Sequence, residues 1–72
     1  MLKLGKYKHY KGYLYEVLAV AKHSETLGPM VVYRALYGDY DVWVRPLEMF
    51  QETVSVEGES VLRFAFVDMG ID

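Results

Sequence analysis

No cysteine occurs in this 72-residue chain, so disulfides and thiolate metal sites are both excluded. Histidine is nearly absent too, with only His9 and His23, and neither has a second histidine at metal-ligand spacing. The expectation is therefore no metal and no cofactor. Long apolar runs are missing as well. Nothing approaches the roughly 20 residues of a membrane span, and the opening MLKLGKYKHY lacks the apolar stretch of a secretory signal. With no cysteine, these features lead to the expectation of a cytoplasmic protein without membrane contact. Strong positive charge is also lacking. Eight basic residues against ten acidic give −2, which argues against avid non-specific phosphate binding.

Aromatic residues are plentiful. Tyr, Phe and Trp make up 15% of the chain. A domain this small buries only about 60% of its unfolded surface, so it needs large side chains or a partner subunit to stabilise it. A single domain over 1–72 is expected, with its core over 5–67 and a frayed end at 68–72, and a homodimer is compatible with that size. Charge is unevenly spread. Lys3, Lys6, Lys8 and Lys11 fall in the first dozen residues, whereas Glu48, Glu52, Glu57, Glu59, Asp68 and Asp72 load the second half. A local basic edge on a mildly acidic domain follows.

Period-two patterning dominates. Strands are predicted over 6–10, 13–22, 30–37, 42–45, 53–56 and 61–67, with turns at Lys11-Gly12, Gly38-Asp39-Tyr40-Asp41 and Glu57-Gly58-Glu59-Ser60. The 13–22 segment is ambiguous. It is apolar at its odd positions and mixed at its even ones, so it is buried on both faces for part of its length, carries a bulge, or is helical over 16–22. The strand reading ranks first because no helix cap precedes Glu16. Segment 23–29, HSETLGP, is a loop. Pro46 stops a strand and suits the start of a helical turn over 46–52, where Leu47 and Phe50 turn inward together. In the last strand, Leu62, Phe64 and Phe66 share one side. The fold class expected is all-β, a small SH3-like barrel of five or six short antiparallel strands with one helical turn near 46–52. Closure removes the exposed edges of such a sheet. An open sheet with one packed helix is the alternative.

The order and spacing of HYKG (9–12), HSET (23–26), VYRALY (32–37) and WVRPLEMF (43–50) resemble the small bacterial family named domain of unknown function 1653. The likeness runs from about Gly5 to Val67. It implies one domain and no assigned activity, and it supplies no catalytic residues.

Segment 30–50 gathers the only Trp, two of the three Arg and three of the seven Tyr. If Val42 and Val44 face the core, Trp43 and Arg45 face outward, and Arg34 joins them from the facing strand. Exposed Trp beside Arg marks a binding hot spot, although a small core also has use for its only Trp. Tyr10 and Lys11 extend a basic and aromatic edge of the kind that stacks single-stranded nucleic acid; a solvated edge strand accounts for it equally. His23 and Glu25 sit on a polar loop that suits ligand contact. Neighbouring residues in an extended loop point apart, however, so His23 and Ser24 are poorly placed as base and nucleophile. Glu48 and Glu52, four apart, are most simply a solvated helix face. The sequence thus leads to a non-enzymatic binding module, with a protein partner first and RNA or DNA second. A small-ligand or enzymatic site using His9, His23 and Glu25 is the remaining alternative.

Overall fold

In the computed structural model, residues 2–69 are described. Seven strands and one helical turn follow in order: β1 (Gly5–His9), β2 (Leu14–Lys22), β3 (Pro29–Ala35), β4 (Val42–Pro46), α1 (Leu47–Phe50), β5 (Thr53–Val56), β6 (Glu59–Leu62) and β7 (Phe64–Asp68). The strands form an antiparallel sheet in the order β4-β3-β2-β1-β7 and a separate hairpin, β5-β6. All-β architecture is therefore as the alternating pattern predicts. The closed barrel is not formed, because no described pairing joins edge strand β4 to edge strand β7.

The count of seven instead of five or six has a local cause. The expected single strand over 61–67 is broken at Arg63. Its backbone N–H donates to the Glu52 carbonyl and its carbonyl accepts from Tyr10 N–H. Residues before this corner pair with β5 and residues after it pair with β1, while Leu62 still lines one cavity with Phe64 and Phe66. The β5-β6 loop is also tighter than the four-residue turn expected. Val56 pairs with Glu59, and Glu57 and Gly58 take φ values of 50° and 84° between them. Two successive positive φ values are the signature of the two-residue turn that matches strand twist.

β2 is a strand throughout, and its register against β3 shifts between Val17 and Ala19. That bulge explains the blurred alternation. Before it, Tyr15 and Val17 face the core; after it, Val20 pairs with Val31 on that side. Burial on both faces does not occur, since Val17 alone in the strand is fully buried.

The core lies on one face of the sheet. Tyr7, Val17, Val31, Tyr33 and Phe64 contribute from strands, and Phe50 covers them from α1. Pro46 opens that turn, Leu47 packs against the core edge, and the Gln51 N–H closes it onto the Leu47 carbonyl. The sheet is strongly curled. Phe64 on β7 lies 5.6 Å from the Tyr33 ring and 5.7 Å from the Arg45 guanidinium on the far side of the sheet. Of the end expected to fray, Asp68 is paired with Lys6 in β7, and residues 70–72 lie outside the described residues.

Candidate binding surface

Register fixes which side chains share a face. Tyr33 lies opposite Trp43 and Val31 opposite Arg45, whereas Arg34 lies opposite Val42 and Val32 opposite Val44. Tyr33 and Val31 are buried core residues. Trp43 and Arg45 therefore sit on the core side of β4, and Val42 and Val44 on the outer side, which reverses the expected assignment. The reason is positional. β4 is an edge strand, so its core side is covered only in part. Trp43 stays 53% exposed even though it shares a face with Tyr33, while Val44 on the other side is 62% exposed.

Arg34 does not join Trp43 and Arg45. It lies across from Glu16, which in turn lies across from Lys6, giving a row of alternating charge on the outer face. Arg45 is half-buried rather than displayed. Its Nε donates to the Tyr33 hydroxyl at 3.3 Å, and its guanidinium stacks over Phe64. The structure thus breaks the expected trio into an exposed Trp43, an Arg45 folded inward beside it, and an Arg34 on the opposite side.

A tyrosine group that the sequence reading did not single out adjoins this surface. The Tyr15 and Tyr37 hydroxyls are 2.7 Å apart, and the Tyr13 and Tyr37 rings are 4.9 Å apart. Burial together with the Tyr37 hydroxyl pushes the Tyr15 pKa up to about 12. The signal was present in the sequence: Tyr13 lies just before β2, two residues from Tyr15, and Tyr37 lies just past the end of β3, whose residue Ala35 pairs with Tyr15.

His9 closes β1 against Tyr10, at 4.6 Å, and Phe64, at 4.9 Å. Its Nδ1 accepts the Lys11 N–H at 3.2 Å. Tyr10 and Lys11 flank it on the exposed turn, with the Lys11 ammonium 5.8 Å from the Tyr10 ring. Burial lowers the His9 pKa, and the nearby positive charges of Arg63, Lys11 and Arg45 lower it further. Protonation of His9 accordingly favours the unfolded chain. The stability it confers is present above its ordinary value near 6.5 and is lost as pH falls through the lower folded-state value. Thermal unfolding followed below about pH 6.5 should therefore decline more steeply for the natural chain than for His9→Gln; parallel curves would refute this.

His23 lies at the other end of β2, the length of a nine-residue strand away from His9. Its Nδ1 accepts the N–H groups of Glu25 at 3.1 Å and Thr26 at 3.3 Å, and Thr26 Oγ1 accepts the Gly28 N–H at 3.2 Å. HSET is thus a loop closed on its own backbone, as its turn-forming residues suggest. What sequence reasoning missed is that the imidazole itself is the acceptor. Ring nitrogens that accept N–H bonds carry no proton, so Nε2 is the protonated nitrogen in the neutral form of both histidines. His9 and His23 do not converge on one site. Among the described residues no three of His, Asp or Glu are placed to hold a metal ion. A cleft of about 650 Å³ runs between the HSET loop and α1, lined by His23, Thr26, Met30, Pro46, Leu47 and Glu48. It brings HSET and the end of WVRPLEMF together. Glu25 is not among its lining residues.

The model of the family described as "Protein of unknown function (DUF1653)" matches residues 5–66. The chain belongs to the DUF1653 family. A DUF1653 protein from Bordetella bronchiseptica, known from its crystal structure, is 34% identical, with a TM-score of 0.87 over 99% of this chain and 94% of that one. No curated protein matches the chain. Likeness at this level extends the open, curled sheet to another DUF1653 member and assigns an activity to neither. Among the described residues, no helix is long and apolar enough to cross a membrane.

Proposed function

We propose that this DUF1653 protein is a small, non-enzymatic binding module that engages a partner protein through the surface around Trp43. The exposure of Trp43 carries this reading. A domain short of apolar burial leaves its only Trp more than half open, on the same side of β4 as Arg45. Trp, Tyr and Arg are the residues enriched where interfaces concentrate their binding energy. The absence of catalysis is supported by the separation of His9 from His23 and by the backbone bond that occupies Nδ1 in each. In fold terms we propose an SH3-like arrangement, supported by the curl of the sheet and the helical turn between β4 and β5. A cytoplasmic setting is supported by the lack of cysteine.

The test is Trp43→Ala. Because the side chain is already half open, the variant should remain folded, losing no more than about 1 kcal/mol. It should also lose a partner that the natural chain captures and that Arg34→Ala, altered on the opposite face, retains. Unfolding of Trp43→Ala would make Trp43 a core residue, and an unchanged set of partners would place the interface elsewhere.

A second reading, single-stranded RNA or DNA, is favoured by one observation: Lys11 and Arg45 lie close enough to His9 to lower its pKa, beside Arg63, whose charge Glu52 offsets at 2.8 Å. With Tyr10 and His9 alongside, this end of the sheet combines positive potential with stacking surfaces. Binding of a uridine oligomer should then fall steeply with salt, and Lys11→Glu should weaken it. A salt-independent or absent signal would remove this reading.

A further inference from the structure

We infer that two copies of this chain associate through the free edges of β4, related by a two-fold axis at Val44, to form one sheet continuous across both copies. This inference rests on the edge of β4 and not on what the Trp43 surface binds. Ala35 N–H donates to the Asp41 carbonyl. In an antiparallel ladder bonded and non-bonded pairs alternate, so the Tyr33–Trp43 and Val31–Arg45 pairs of the same register are the bonded ones. The backbone groups of Val42 and Val44 therefore point away from β3, out of the sheet edge. Pro46 presents only a carbonyl there. Val42, Trp43 and Val44 are 48%, 53% and 62% exposed in succession, so nothing among the described residues covers this edge.

The exposed groups are self-complementary in one register. With Val44 opposite its own twin, the two residues exchange both backbone bonds. Val42 N–H then meets the Pro46 carbonyl of the second copy, on each side of the axis, and the missing proline N–H is the single loss per chain. On the outer face Val42 and Val44 of both copies form one apolar row. On the other face Trp43 lies opposite Arg45 of the second copy, where its ring packs on the arginine stem. Asp41 lies diagonal to that same Arg45, so charges pair and the two arginines stay apart.

The other edge is less suited. β7 carries an irregularity in its pairing with β1 between Lys6 and Tyr7 and ends on Asp68, and bulges and edge charges both oppose strand addition. β4 pairs with β3 over five residues without a break and carries no charge before Arg45. A β4-to-β4 contact also closes on itself, whereas β4-to-β7 would propagate.

Sedimentation equilibrium over a concentration series should give a dimer for the natural chain. Val44→Pro is the decisive variant. The residue 44 N–H points away from β3, so the substitution is tolerated on an edge and should leave the fold intact, while weakening dimerisation at least about tenfold. Val44→Lys, which places like charges on the axis, should do the same if the proline variant misfolds. Asp41→Arg, which sets a second cation beside Arg45 of the second copy, should weaken the dimer. A monomer at all concentrations overturns the inference. So does a dimer that survives both Val44 variants, which would place the contact on another surface.

Discussion

Phe50→Ala is expected to unfold most of the protein at room temperature. Phe50 is 1% exposed and stands at the centre of the aromatic core. Its ring stacks on Phe64 at 4.2 Å, nearly parallel, and meets the edges of Tyr7 at 5.3 Å and Tyr33 at 5.5 Å. Truncating a buried Phe costs about 3–5 kcal/mol through lost transfer energy and the cavity left behind. Ring pairs of this kind are worth about 0.5–1.5 kcal/mol each beyond area burial, which places Phe50 towards the upper end of the truncation range. A 72-residue domain is stable by only about 4–11 kcal/mol in total, so the loss rivals the whole. Urea unfolding followed by circular dichroism measures it. Phe50→Leu, which keeps most of the volume, should stay folded with a lower midpoint. A Phe50→Ala loss below about 1 kcal/mol would mean that α1 is not what covers the sheet.

The weight on one four-residue helical turn was legible in PLEMFQE. Pro46 marked where the ladder stops, and the three-residue spacing placed Leu47 and Phe50 on one side. Strand positions were legible for the same reason. Alternation survives wherever one face is buried, as in Val31, Tyr33 and Ala35 of β3. Two features were not. Arg63 sits inside an unbroken apolar alternation, and only its two backbone bonds, to Glu52 and Tyr10, show that the chain changes sheets there. Closure of the sheet was inferred from the cost of free edges. Among the described residues those edges stay unpaired within the domain, and the core side is filled instead by curl and by Phe50.

The candidate surface was legible in its residues and not in its faces. Placing Val42 and Val44 inside followed from hydrophobicity alone. On an edge strand that rule loses its force, because neither side is fully covered. Register decides instead. Once Tyr33 is a core residue, its partner Trp43 must share its face, and Arg34, one residue further along β3, must take the other. Register depends on how the six residues 36–41 cross from β3 to β4, which no alternation pattern specifies. Arg45 was harder still. Its guanidinium reaches Phe64 only because the sheet curls, a long-range property that local sequence does not carry. The His23 loop shows the converse. All its bonds are between residues at most five apart in sequence, and its structural role was the reading that sequence favoured.

Gly5→Ala tests whether the curl is held at β7. Gly5 has φ of 126°, and a Cβ built there would run into the Asp68 carbonyl oxygen and come within 2.8 Å of the Met69 Cα. Both obstacles are backbone, so no rotamer change relieves the contact. Either β1 changes its conformation at Gly5 or the end of β7 moves off the sheet. The positive φ alone costs about 1–3 kcal/mol for a residue with a side chain. The collision adds to it, for an expected loss of at least about 3 kcal/mol. Gly12→Ala separates the two contributions. Gly12 has φ of 104° but no atom within 4 Å of its would-be Cβ, so it carries backbone strain without a collision. Equal losses in the two variants would show that the close approach of β7 contributes nothing. The expected result is a larger loss for Gly5→Ala, with faster amide exchange over β7. Because Phe64 is the ring on which Phe50 stacks and over which Arg45 lies, a displaced β7 should also loosen the core beside Trp43. Its fluorescence should then shift in the Gly5 variant and not in the Gly12 variant.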